Sequence, residues 1–273
     1  ISYYQNGKVK SNAVSYTLKA DFFRKIYTID DWYTYMVSRT NASQFENVKL
    51  EADLDFSNVD PSRIMVKLGF NRILDGNGHK IEHINLQRGF NASNNTTIRR
   101  LFIGDLAHSA TVRNLFINDY MAGGTYYNST KGKTYVARAA SVFGTVYGTI
   151  ENVHAKDITI TTYEYAAGLV CYLAASGEIM DSSVTNLTLT YNDPDDVNAE
   201  SFIGGVVGRM NESRVTHCYS QHIDIKVDET KSTYGIGGIV GYAVNSVIDT
   251  AYSEGKIVSR AQKVGGIVGH YYC

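Results

Sequence analysis

Gly204-Gly205-Val206-Val207-Gly208, Gly237-Gly238-Ile239-Val240-Gly241 and Gly265-Gly266-Ile267-Val268-Gly269 are one five-residue phrase written three times. The copies start 33 and then 28 residues apart. A phrase recurring at a period of roughly 20–50 residues signals stacked structural repeats. Each copy is a short apolar run closed by glycine. That pattern reads as a buried strand ending in a turn, where backbone passes close to a neighbour.

Followed backwards, the phrase degrades but persists. Its earlier forms are Leu101-Phe102-Ile103-Gly104, Ser141-Val142-Phe143-Gly144 and Gly168-Leu169-Val170-Cys171, with Cys171 in place of the closing glycine. Equivalent positions in successive copies lie about 40, 27, 37, 33 and 28 residues apart. Each but the last is followed by a second apolar run, centred on Val112, Ile150, Ile179, Val215 and Ile248. Short β runs at this spacing, with no helix between them, suit an all-β right-handed parallel β-helix, a solenoid in which each turn pairs with the next. An antiparallel sandwich is the competing arrangement, but its strands have no reason to resemble one another. Asn114 and Asn152, with Asp249 as a third candidate, recur after the second run and suit a polar ladder inside a turn.

Upstream, Val14-Ser15-Tyr16-Thr17-Leu18 reads as a strand. Asp30 and Asp31 precede Trp32, Tyr33, Tyr35, Met36 and Val37, which predicts a capping helix near residues 30–40, ending between Ser38 and Asn41. An open stack needs such a lid over its exposed core. Residues 1–46 are therefore expected to hold N-terminal strands and the cap, and residues 47–273 the β-helix. Residues 47–56 alternate as one half-buried strand, and Asp75-Gly76-Asn77-Gly78 is a tight turn before a strand that buries Ile81, Ile84 and Leu86.

Length varies at one place in the repeat, over 119–139, 159–166, 191–202, 226–234 and 258–263. Insertions confined to one side of a solenoid often mark its binding face. These segments carry Tyr120, Tyr126, Tyr127, Tyr135, Tyr163, Tyr165, Tyr191 and Tyr234. All but Tyr120 are taken as candidate contact residues, since tyrosine among short polar residues suits adaptable contact with proteins or glycans.

The 273 residues carry 26 basic and 27 acidic side chains, a net charge of −1. That balance disfavours nucleic acid or an anionic membrane as partner. No apolar run is long enough to span a bilayer. Three cysteines, Cys171, Cys218 and Cys273, form no disulfide framework and no zinc pair. Cys218 falls where the next repeat has Ala251, so a buried inert thiol is expected. Sequons for N-glycosylation begin at Asn41, Asn91, Asn94, Asn95, Asn128, Asn186 and Asn211.

Leu74-Asp75-Gly76-Asn77-Gly78-His79-Lys80-Ile81, with Leu101-Phe102 and Ala110-Thr111-Val112-Arg113-Asn114-Leu115, resembles the non-catalytic N-terminal region of IgA1-protease-type zinc metalloproteases. The Gly-Gly-Ile-Val-Gly copies resemble the GLUG repeats of bacterial surface adhesins. The resemblance covers residues 47–273. It implies a β-helix on a secreted or cell-surface protein, concerned with substrate or host contact. It does not bring the protease, because no His-Glu-x-x-His occurs here to place two imidazoles on one zinc.

No catalytic, metal or cofactor constellation emerges, and a non-enzyme is expected. Asp193, Asp195 and Asp196 cluster in a variable loop rather than on a strand. His79 and His83 stand about 13 Å apart along a strand at ~3.3 Å per residue, too far to share a metal. Asp55 is expected to cap the turn at Ser57-Asn58. The leading reading is a non-enzymatic extracellular module, acting as adhesion domain or stalk of a larger surface protein, with a host or neighbouring protein or glycan as partner. The alternatives are a carbohydrate-active β-helix enzyme (a lyase or glycoside hydrolase) and a glycosylated eukaryotic coat or filament protein. The last phrase lacks its second half, so the stack is expected to continue past Cys273 in its own chain or an identical copy.

Overall fold

The computed structural model describes residues 3–5, 8–10, 22–87, 99–128, 133–191, 201–227 and 233–273. They are mostly β, in two large parallel sheets with two short antiparallel hairpins, Tyr3–Gln5 with Lys8–Lys10 and Thr125–Asn128 with Lys133–Val136. The expected strand at 14–18 lies outside the described residues.

The first sheet is built from the glycine phrase. Ile103 pairs with Phe143, Phe143 with Val170, Val170 with Val207, Val207 with Val240, and Val240 with Val268. The second sheet stacks the second runs in the same order: Val112, Ile150, Ile179, Val215 and Ile248. The repeat found in the sequence is therefore the hydrogen-bonding register itself. Parallel stacking demands this, because a one-residue slip would turn every buried side chain outward. The inward residues of both sheets share one core, in which Phe143, Val170, Val207, Ile150 and Val215 are fully buried.

The phrase does not end its strand as expected. The strand breaks inside the phrase, after Gly204, and resumes as Val207–Asn211. A Cβ on Gly204 would lie 1.9 Å from the Val207 carbonyl oxygen, and one on Gly205 2.0 Å from that of Gly238 in the next repeat. The two glycines thus permit two close approaches, one within the phrase and one between repeats.

The second sheet also turns without reversing. Ile73–Asp75 and Lys80–Asn85 both pair parallel with the single strand Thr111–Gly123. The turn at 76–79 is a corner within one layer, made by Asn77 and Gly78 at φ 54° and 77°. A second corner, His83 at φ 57°, shifts the alternation by one, so Ile81 and Ile84, three apart, are both buried. Residues 47–56 are likewise two strands, Asn47–Leu50 and Leu54–Asp55, rather than one. Phe23–Ile26 already pairs with Asn47–Leu50, so the parallel stacking starts before residue 47.

The helix runs Ile29–Trp32 and continues as a wider turn to Val37. Its N-cap is Thr28, not an aspartate: Thr28 Oγ1 accepts from the Asp31 amide, and Asp31 accepts from the Thr28 amide. Trp32 stacks on Phe102 at 4.9 Å, meets Phe56 edge-on, and donates Nε1–H to the Ile64 carbonyl at 3.0 Å. With Met36 it covers the core at that end. Among the described residues no helix is long and apolar enough to cross a membrane.

Candidate binding face on the first sheet

The residue after each closing glycine points away from the core. Register puts Asp105, Thr145, Tyr172, Arg209, Tyr242 and His270 in one column on the outside of the first sheet. A second outward column begins at Arg99 and runs through Ala139, Tyr165 and Phe202. Between the columns the Arg209 guanidinium lies 5.2 Å from the ring centroids of Tyr172 and Phe202 and 5.9 Å from that of Tyr242. Tyr165 stacks on Phe202 at 5.3 Å. Arginine among ring faces is held electrostatically and by packing.

At the head of these columns is a pocket of about 160 Å³, lined among others by Arg99, Arg138, Arg209, Tyr165, Tyr172 and Cys171. Glu164, almost fully buried, takes a two-point ion pair from Arg138, with Nη2 to Oε1 at 2.7 Å and a second contact through Nε. That pair raises Arg138 further above its ordinary pKa. Arg99 and Arg209 make no ion pair among the described residues. Arg209 Nε is buried without a hydrogen-bond partner there. The Cys171 thiol beneath is pushed up to about 12 by desolvation, so it stays protonated. The pocket is therefore cationic and aromatic; of the carboxylates near it, Glu164 is engaged by Arg138, and Asp105 accepts from the Thr145 amide at 3.3 Å.

The variable segments border this face, since they lead into the strands that begin at Ala139, Tyr165 and Ser201. They are shorter than expected, because the second-sheet strands run on to Gly123, Thr162, Tyr191, Val227 and Ser259. Of the candidate tyrosines whose side chains are described, Tyr165 lines the pocket. Tyr163 packs partly against the core. Tyr191 is buried, with its hydroxyl accepting from Ser201 Oγ at 2.7 Å, and is a core residue rather than a loop contact. Tyr120 is likewise fully buried and donates to the Ser141 carbonyl. In the register of the antiparallel hairpin Tyr126 pairs with Tyr135 and Tyr127 with Thr134, and Tyr234 lies in the strand Thr233–Gly237.

Arg99, Arg138, Tyr172 and Arg209 were not singled out from sequence. The signal was present for two of them: Tyr172 and Arg209 each follow the closing position of a phrase. Arg99 and Arg138 carry no such mark.

Among the sequons, Asn41 is exposed, but its side chain accepts from the Ser43 amide as the N-cap of a short 3-10 turn. Asn186 is exposed and donates to Asp157 at 2.7 Å. Asn211 is half-buried within a strand, with its sequon Ser213 buried. Asn128 ends the hairpin strand Thr125–Asn128; Asn91, Asn94 and Asn95 lie outside the described residues, as do Asp193, Asp195 and Asp196.

The histidine and acid candidates are engaged locally. His79 meets Asp53 at 3.0 Å and His83 meets Asp55 at 2.8 Å. Asp55 accepts from the Ser57 amide, as expected of a turn cap; the Ser57 hydroxyl and amide, then His83, lower it to about 2. No group of three or more potential metal ligands occurs among the described residues. Cys218 is buried, and desolvation raises its thiol to about 11.

No protein-family model matches the chain. A stretch of 90 residues, 32% of the chain, is 31% identical to halomucin of Haloquadratum walsbyi, and spans 1% of that protein's length. A solved structure from Bacteroides ovatus, provisionally named an immunoglobulin A1 protease, superposes with a TM-score of 0.54 at 16% identity. The match covers 92% of this chain and 75% of that one. At that identity the likeness is one of fold. The name of that structure is of the protease type that Leu74–Ile81 and its companions resemble, while the likeness to GLUG repeats rests on the glycine phrases alone.

Proposed function

We propose that this chain is a non-enzymatic recognition module of an extracellular or surface protein, with its two parallel sheets forming the coils of a right-handed β-helix. The observation that carries the reading is the outward Arg209 column beside the pocket of Arg99, Arg138 and Tyr172. Those groups sit on paired strands rather than loops, so they are held in place before any ligand arrives, which lowers the ordering cost of binding. Of the carboxylates near this region, Glu164 is bound to Arg138 and Asp105 accepts from the Thr145 amide, which disfavours acid–base chemistry there. The partial match to halomucin and the fold likeness to the Bacteroides protein support an extracellular setting.

The test is a combined glycan and protein array probed with the chain and with an Arg99→Gln/Arg209→Gln variant. Specific hits on the array are expected. An array without hits, or turnover of a polysaccharide by the chain, would remove this reading.

A further inference from the structure

Resting on the recognition reading above, we infer that the pocket of Arg99, Arg138, Arg209, Tyr165 and Tyr172 takes one carboxylate-bearing sugar residue of an acidic glycan. Three features converge on that class.

Charge comes first. The chain as a whole is near neutral at −1, yet the pocket gathers three guanidinium groups. Glu164 offsets one of them, by its two-point contact with Arg138. Arg99 and Arg209 make no ion pair among the described residues; Asp105, which lines a neighbouring hollow with Arg99, accepts instead from the Thr145 amide. Two guanidinium groups beside a cavity are a strong preference for an anion, and their planar forks match a carboxylate. Arg209 adds a buried Nε–H that has no acceptor, a cost that an incoming acceptor group or bound water would relieve.

Surface type comes second. The walls that are not arginine are Tyr165, Tyr172, Leu101, Ala139, Gly144 and Thr145, and Cys171 below is held neutral. A bare inorganic anion has no use for aromatic and aliphatic walls. A sugar ring does, because its C–H faces pack on aromatic rings while its hydroxyls reach polar groups. An acidic peptide side chain would use the guanidinium groups but leave the ring faces uncovered.

Size and placement come third. About 160 Å³ is small against the ~300–1,000 Å³ of pockets for drug-sized ligands, so one ring-sized residue fits and a long segment does not. The Arg209–Tyr242–His270 column continues along the sheet from the pocket, giving the rest of a chain a polar-aromatic track.

The test is titration calorimetry of the whole chain with methyl glucuronide, methyl galacturonide and the methyl glycoside of N-acetylneuraminate. The comparison probes are methyl glucoside, acetate and a glutamate tripeptide. At least one acidic sugar should bind, the neutral sugar and acetate far more weakly, and added salt should weaken the binding. Arg209→Gln should lower affinity roughly tenfold or more, as expected when a charge-assisted hydrogen bond is lost. Arg99 is exposed, so Arg99→Gln gives an independent reading should the Arg209 variant misfold. Equal binding of glucoside, or of the tripeptide, overturns the acidic-sugar assignment. Absence of binding by every acidic sugar overturns it too. Array hits that survive both substitutions would then leave the recognition reading standing without this pocket, whereas a silent array removes both.

Discussion

At the scale of single residues, the phrase glycines are explained by what stands opposite them. Gly205 faces Gly238 of the next repeat, and Gly238 faces Gly266, with an added Cβ falling 2.0 and 2.1 Å from a carbonyl oxygen. Gly266 occupies the same place in the last phrase and meets nothing within 4 Å. Within these 273 residues the three positions are identical in sequence and differ in having a neighbour. Gly205→Ala should therefore destabilise the chain by about 1–3 kcal/mol through forced backbone displacement. Gly266→Ala should change stability by less than about 0.5 kcal/mol. Denaturant melts of both variants decide it; equal effects would mean that the close approach between repeats is not what selects glycine. The need for a close approach was legible in the phrase itself. Where the strand breaks was not, because a glycine that closes a strand and one that bends it look alike in sequence.

At the scale of elements, the corners of the second sheet hold left-handed residues in register. Asn114, Asn152, Asp181, His217 and Thr250 all have φ between 51° and 53°. Asn152 donates to Asn114 at 2.9 Å, and Asn114 donates to Asp75 at 3.2 Å. The expected asparagine ladder thus exists and extends back to Asp75. Asp249 is not in it, since register pairs Asp249 with Thr216, one residue before the corner. Asparagine suits this place because it tolerates the left-handed region and bonds to its neighbours. Asn152→Ala loses both advantages and should cost about 2 kcal/mol, from roughly 1 for backbone strain and 1 for the hydrogen bond. Asn152→Gly keeps the conformation and should cost less. Thermal melts that rank glycine below alanine would contradict this account. The sequence displayed the two asparagines, but not their φ angles, so the later corner residues Asp181, His217 and Thr250 carried no visible kinship.

At the scale of the whole molecule, burial falls along the stack. Val215, Ile225, Ile239 and Val240 are fully buried, while their counterparts Ile248, Ile257, Ile267 and Val268 are only partly so. Among the described residues, Val247–Asp249, Tyr252–Ser259 and Val268–Tyr272 pair with a neighbour on one side only. A unit that contacts one neighbour opens more readily than one held between two. In a polypeptide of these 273 residues, amide hydrogen exchange should therefore be faster over 247–273 than over 201–227, as peptide-resolved mass spectrometry would show. Uniform protection would mean that the repeats unfold as one block.

The repeat, its unequal spacing and its in–out pattern were fixed by the sequence, because parallel stacking works only when equivalent residues recur and keep their facing. The helix near residues 30–40 was legible for the same kind of reason, an apolar stripe needing a core to cover. The pocket was decided by the tertiary structure alone. Arg99, Arg138 and Arg209 come from three different repeats, and stacking gathers around one pocket residues that the chain keeps 39 and 71 positions apart. The same stacking buried Tyr191 and Tyr120, whose strands extend further than polarity suggested. Side-chain facing after a corner depends on a backbone angle, and that angle is set by the layer on which each turn of the chain comes to rest.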